Sequence, residues 1–299
     1  YRLLVRDLFN TAHDNAALTY RLSVRKEQPD FRILAVPVAG PNNEVILSAP
    51  FLRKGGALPV RLIIVRQDGF NGEVRVEAEG LPGDLTCGTT TIPAGESVGS
   101  LVVSAGNDAS GWCGPVRIVA RAKVNEAEIT REARIGAVVW PSNQNTQEPA
   151  ISRLAQDFTL AVSGDEKEPL TFEVGDRSYE VMAGGKVQIA VKVRRNMEIK
   201  TPLKVKPGGL SAMNNAKEMT IAPEATEGSL EIDLSQQKLS PGTYTFFLQT
   251  QAQVKYERKE APGADKKEKA KKNARDAQVN FYSPPITLNV LAKDKQKDK

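Results

Sequence analysis

The chain has 299 residues, with 41 Lys or Arg against 36 Asp or Glu, a formal net charge of +5 and 40% hydrophobic residues. That is enough for two or three domains with cores of their own, and the composition excludes collagen-like, low-complexity and disulfide-dense chains. No apolar run approaches the roughly 20 residues of a membrane span, and a single His with two Cys leaves little from which to build a Cys/His metal site.

Residues 1–37 hold two alternating stretches, Tyr1 to Asp7 and Tyr20 to Lys26, joined by a polar connection containing His13-Asp14-Asn15. In YRLSVR apolar and polar residues alternate, as on a strand with one face on a core. Two strands do not make a stable domain. The segment is therefore expected to be the end of a truncated sandwich belonging to a longer protein, with PDFRILAVP leading into the next domain. The order YxLxVRD, a polar loop with Asp, YxLxV and PDFxLxxxP resembles the C-terminal end of the bacterial pre-peptidase C-terminal domain, a small sandwich of secreted proteins. The stretch that follows, RQDGFNGEVRVEAEGLP through TIPAG, is similar to the Ig-like domains that come after it in large exported bacterial proteins. The resemblance implies an exported, modular and largely non-catalytic protein, placed extracellularly, at the cell surface or in the periplasm.

Residues 38–141 read as the first complete Ig-like sandwich. Val60, Leu62 and Ile64 alternate on one strand, turn signals follow at Asp68-Gly69 and Asn71-Gly72, and Val74, Val76 and Ala78 alternate on the next. Further strands are expected over Leu85 to Thr91, Val98 to Ser104, Val116 to Val124 and Ile129 to Trp140, a spacing that suits about seven strands. Cys87 and Cys113 both lie in this domain and are expected to form a disulfide. Closing a loop of about 26 residues, it would contribute at most roughly 3.5 kcal/mol and would favour an oxidising compartment.

Residues 142–150 are polar and read as a linker, and 151–292 as a second sandwich. The same layout returns 129 positions on: Val187, Ile189, Val191 and Val193 form an alternating strand, Gly209-Leu210 matches Gly80-Leu81, and Thr220-Ile221 matches Thr91-Ile92. Gly228-Ser229-Leu230 matches Gly99-Ser100-Leu101, and a spacing kept through several strands marks a repeat. Tyr244, at the start of a strand after Gly242-Thr243, resembles the tyrosine corner of Ig-like sandwiches, with its hydroxyl expected on nearby backbone. A Lys-rich insertion at 255–279 is expected to be a loop or frayed helix that does not pack, and 293–299 is a charged tail. Most of the excess positive charge sits there: nine Lys or Arg against five acids from Lys255 to Asn280, and four Lys against two Asp in the tail.

Motifs for chemistry are sparse. A nucleophilic triad needs a base, and His13 reads as an exposed loop residue. There is no GxSxG, P-loop or HExxH. Glu77 and Glu79 share the outward face of a strand, which suits a solvated surface better than a glycosidase pair. Asp165-Glu166 and the acidic residues around Asp14 are the oxygen-rich loops that Ca²⁺ could use, without EF-hand or RTX-like spacing; no cofactor is otherwise implied. Lys266, Lys267, Lys269, Lys271 and Lys272 are the candidate polyanion contact. Interspersed acids dilute their field, and no aromatic platform for base stacking lies among them, which argues against nucleic acid. Trp112 reads as a packing residue. The expectation is an all-β chain of tandem Ig-like sandwiches behind a sandwich remnant, acting as a non-catalytic structural and interaction segment. Its partners would be other domains of the same protein and a cell-surface protein or polysaccharide. Accessory domains of a secreted hydrolase or peptidase catalysing its reaction upstream, or a carbohydrate-binding module with coplanar exposed aromatics, are the alternatives.

Overall fold

Branched and aromatic residues alternate with polar ones through most of the chain, and among the described residues the computed structural model is accordingly all β apart from one 3-10 turn at Ser211–Met213. It describes residues 2, 4, 21–38, 50–140, 151–236, 239–257 and 274–292. The first sandwich comprises β1 (Asp30–Pro37), β2 (Phe51–Lys54), β3 (Ala57–Gln67), β4 (Val74–Glu79), β5 (Leu85–Cys87), β6 (Thr90–Ile92), β7 (Val98–Ala105), β8 (Trp112–Val124), β9 (Ala127–Glu132), β10 (Arg134–Trp140), β11 (Ile151–Ala155) and β12 (Phe158–Lys167). The second comprises β13 (Leu170–Val174), β14 (Ser178–Met182), β15 (Lys186–Arg195), β16 (Leu203–Gly208), β17 (Met219–Ile221), β18 (Glu227–Asp233), β19 (Gly242–Glu257), β20 (Ala274–Tyr282) and β21 (Ile286–Leu291).

Sheet I of the first sandwich runs β11-β10-β1-β3-β7-β5, and sheet II runs β2-β12-β8-β4-β6 with β9 also on β8. Between them lies a core that includes Phe31, Ile33, Leu62, Leu101, Ile118, Phe158 and Leu160. In the second sandwich, sheet III (β13-β15-β18) faces sheet IV (β14-β21-β19-β16-β17, with β20 on β19) across Ile189, Val191, Leu203, Phe246, Leu248 and Phe281.

The repeat seen in the sequence is a repeat of register. Val60 pairs with Leu101 and Ile189 with Leu230; Val74 pairs with Ile92 and Leu203 with Ile221. Gly80 and Gly209 both take left-handed backbone, with φ of 87° and 93°, where a side chain would be strained. Two arginines also repeat. Arg66 donates to the carbonyls of Pro93 and Glu96, and Arg195 to those of Ala222 and Ala225, holding the same turn in each sandwich.

Four expectations about organisation are corrected. Residues 21–29 form no strand, so the second stretch of the expected remnant is not one; Arg25 instead pairs with Asp68 in the β3–β4 turn, whose carboxylate also accepts from the Gln28 amide at 3.0 Å. The first stretch and His13 lie outside the described residues, apart from Arg2 and Leu4. PDFRILAVP is no lead-in, because β1 pairs along its whole length with β3 and supplies Phe31, Ile33 and Ala35 to the core. Finally, 142–150 does not separate the domains. The strands flanking it, β10 and β11, pair antiparallel, and β12 then pairs with β8 and fills the first core. The junction between sandwiches is Glu168-Pro169. The predicted strand from Ile129 to Trp140 is broken at Ala133, where the chain passes from sheet II to sheet I.

Candidate functional site

Strands with one face on a core should alternate buried and exposed, and β7 and β19, which lie against each other, break that rule over several residues. Along β7 the outward Ser100, Val102 and Ser104 are as buried as the inward Leu101, Val103 and Ala105. Along β19 the outward Thr245 and Phe247 are buried beside the inward Tyr244, Phe246 and Leu248. Each covers the other's sandwich. Ser100 Oγ donates to Gly209 O at 3.2 Å, and a Cβ on Gly209 would lie within 3.0 Å of both Ser100 and Phe247, so the backbone itself is packed into the seam. The Phe247 ring meets Tyr282 edge-on at 5.5 Å, a favourable aromatic geometry.

The seam runs the length of the strands. At one end Gly242 lies against Pro93, beside a cavity of about 50 Å³ lined by Thr91, Val98, Leu210 and Tyr244 among others. That volume is far below the several hundred Å³ of an organic-ligand pocket. At the other end Arg53 lies 5.5 Å over Phe51 and 5.2 Å over Tyr256, and donates to Glu166 at 3.0 Å. It thereby joins β2 and β12 of the first sandwich to β19 of the second. Glu168, in the junction itself, is half-buried against Gly56, and its main-chain oxygen accepts from Asn196 Nδ2 at 2.8 Å. Burial pushes the Glu168 carboxyl up to about 7; Arg53 pulls it down and Glu166 pushes it further up.

Glu77 and Glu79 lie on the outer face of sheet II, as expected for a solvated surface. There Arg121 bonds both of them at 2.9 and 2.8 Å, and Arg117 bonds Glu132. Glu166 is committed to Arg53, and among the described residues no group of three or more His, Cys, Asp and Glu could hold a metal. On sheet IV beyond the seam, Gln249, Gln251, Gln253, Gln278 and Asn280 line an open groove of about 590 Å³, where Gln278 bonds Gln251 at 2.7 Å. The insertion is shorter than expected, since β19 reaches Glu257 and β20 starts at Ala274, with Lys255 opposite Asp276 and Tyr256 packed on the second core. Lys266, Lys267, Lys269, Lys271 and Lys272 lie outside the described residues, as does the 293–299 tail.

The disulfide is overturned: Cys87 and Cys113 are both free. Strand parity explains why. Cys87 follows Leu85 by two and turns toward the core of the first sandwich, whereas Cys113 shares the solvent-facing parity of Pro115 and Arg117 on the opposite sheet. Burial raises the Cys87 thiol to about 12, so it is a packing residue. Trp112 packs against the first core, over Gly114. Tyr244 meets its expectation, donating from Oη to Ser240 O at 2.9 Å.

No family model and no curated protein matches this chain. Among solved structures, fibronectin(III)-like modules of Clostridium thermocellum CbhA are similar to it at 9% identity, over 89% of this chain and 98% of that one, with a TM-score of 0.22.

Proposed function

We propose that the chain is a non-catalytic structural and interaction module, in which two sandwiches act as one stiff body that spaces or presents other domains of an exported bacterial protein. The observation that carries this reading is the seam: outward residues of β7 and β19 are buried against each other's sandwich, and the junction is two residues long. A bead-on-string array would leave those faces wet, and its members free to reorient. The export part rests on the sequence resemblance of residues 1–37 to secreted domains alone, since 21–29 form no strand and Asp30–Pro37 belongs to the first sandwich; the free cysteines add nothing to it.

Small-angle scattering tests the stiffness. The intact chain should give one compact envelope with a radius of gyration of about 20 Å plus the contribution of its tails. Phe247→Asp should enlarge the envelope while each sandwich keeps its strand signal in circular dichroism. An unchanged envelope in the variant, or a wild-type profile of two independent bodies, would sink the proposal. Export is tested by fractionating cells that carry the full-length gene: recovery in the cytoplasm overturns it.

A further inference from the structure

The two outer faces of the first sandwich differ in kind. On sheet II, arginines and glutamates neutralise one another. On sheet I, strands β1, β3, β10 and β11 contain five arginines, Arg32, Arg61, Arg66, Arg134 and Arg153, and one acid, Asp30. Asp30 is held by Arg131 at 3.0 Å, and Arg66 is spent on the turn carbonyls. Arg32, Arg61 and Arg134 are exposed on the outward face, and among the described residues no carboxylate is within ion-pair distance of them.

Aliphatic side chains fill the spaces between them. The outward positions of β1 are Arg32, Leu34 and Val36, and those of β3 are Arg61, Ile63 and Val65. Register places Arg32 opposite Val65 and Leu34 opposite Ile63, with Leu154 on β11 continuing the face. Val65 is 42% exposed and Leu154 56%. The face is also continuous with an interface already in use: Arg61 pairs with Ser100, the residue bonded to the second sandwich. The second sandwich thus stands as a wall along one side of the face.

We propose that this outer face of sheet I, centred on Arg61, Ile63 and Val65, is a docking surface for a protein segment that carries carboxylates interleaved with aliphatic side chains. The proposal deepens the interaction reading given above and rests on it. Unpaired arginines call for an anionic partner, and Arg is enriched where protein interfaces bury their cores. The interleaved Leu34, Ile63, Val65 and Leu154 decide which anion. A polysaccharide or nucleic acid backbone would cover that aliphatic surface without gain, and the outward positions of β1 and β3 carry no aromatic ring for a base to stack on. An extended segment alternating acid and aliphatic residues meets both requirements at the strand repeat of about 6.8 Å per residue pair.

The test is fluorescence anisotropy on the full chain with a labelled ten-residue peptide alternating Glu and Leu, beside a Glu–Ser peptide, a Lys–Leu peptide and heparin. The Glu–Leu peptide should bind saturably, and Arg61→Glu and Val65→Ser should each weaken it about tenfold or more, as truncation of a central anchor does. Arg32→Glu combined with Arg61→Glu should transfer binding to the Lys–Leu peptide, a gain that misfolding cannot imitate. Absence of saturable Glu–Leu binding overturns the proposal, as does equal affinity in the variants. Equal binding of heparin or Glu–Ser marks a surface for charge alone and also overturns it. So does a concentration-dependent dimer in sedimentation that Val65→Glu abolishes, since the occupant would then be a second copy. Apart from the dimer, whose larger envelope disappears on dilution and with Val65→Glu, these outcomes leave the scattering envelope of the chain unchanged, so the docking face and the stiff-module reading fail separately.

Discussion

Tyr244 is 2% exposed, yet its hydroxyl keeps a partner in the Ser240 carbonyl at 2.9 Å. Tyr244→Phe keeps the ring and removes the donor, so unfolding in urea should require about 1 kcal/mol less free energy. An unchanged midpoint would show that water replaces the bond at no loss. The cysteines make the second residue-scale prediction. Cys113 faces solvent, and Cys87 faces the core with its thiol raised to about 12. A disulfide-exchange reagent at pH 8 should therefore label one thiol quickly in the native protein and a second on unfolding, with or without prior reduction. Two unreactive cysteines before reduction would restore the disulfide. The sequence suggests that bond because the two cysteines are near in number. What forbids it is the facing of two strands on opposite sheets, which their separation along the chain does not encode.

At the scale of elements, the turn after β6 and the turn after β17 are held by one device used twice. Arg66 reaches Pro93 O at 3.0 Å and Glu96 O at 2.8 Å, and Arg195 reaches Ala222 O at 3.0 Å and Ala225 O. A planar guanidinium spans two carbonyls where an ammonium meets them as a point charge. Arg195→Leu should cost about 1–3 kcal/mol, and Arg195→Lys should recover less than half of that. Hydrogen exchange at Ala225, whose amide bonds Ala222 O, should quicken beyond the change in global stability. Exchange that follows global stability alone would mean the arginine supports the sandwich and not the turn. Single strands were legible from alternation, and so were the 129-residue repeat and the tyrosine corner. The domain boundary is not legible in the same way, because Ser142 to Ala150 has the composition of a linker, while the pairing of β12 with β8 joins residues more than 40 apart. The seam is hidden for a related reason: Ser100, Val102 and Ser104 are ordinary strand residues one by one, and only together do they leave every outward position of the strand without charge. That absence was the available signal.

For the whole molecule, the seam closes after two repeats. The positions on β18 that match Ser100, Val102 and Ser104 are Ser229, Glu231 and Asp233, with Lys186 2.8 Å from Glu231 and 3.7 Å from Asp233. On β8, which matches β19, the outward arginines are bound to glutamates. A sandwich stacked on either surface the way β19 stacks on β7 would have to bury or break these ion pairs, which disfavours the same packing there. Within the pair, Glu168 makes the packing depend on pH. Its carboxyl titrates near 7 in the folded chain because burial at the junction disfavours the charge, against 4.5 when unfolded. The folded state thus binds the proton more tightly. The stabilisation this gives is fully present below about pH 4.5 and is lost as pH rises through 7. Between pH 5 and 8 the unfolding free energy should fall by about 1–3 kcal/mol from this half-buried group. Glu168→Gln fixes the neutral form: it should match the wild type at pH 5, exceed it at pH 8, and show a flatter profile between. If the two proteins instead run parallel across that range in thermal melts, Arg53 holds Glu168 ionised throughout, and the junction is an ion-paired hinge insensitive to pH.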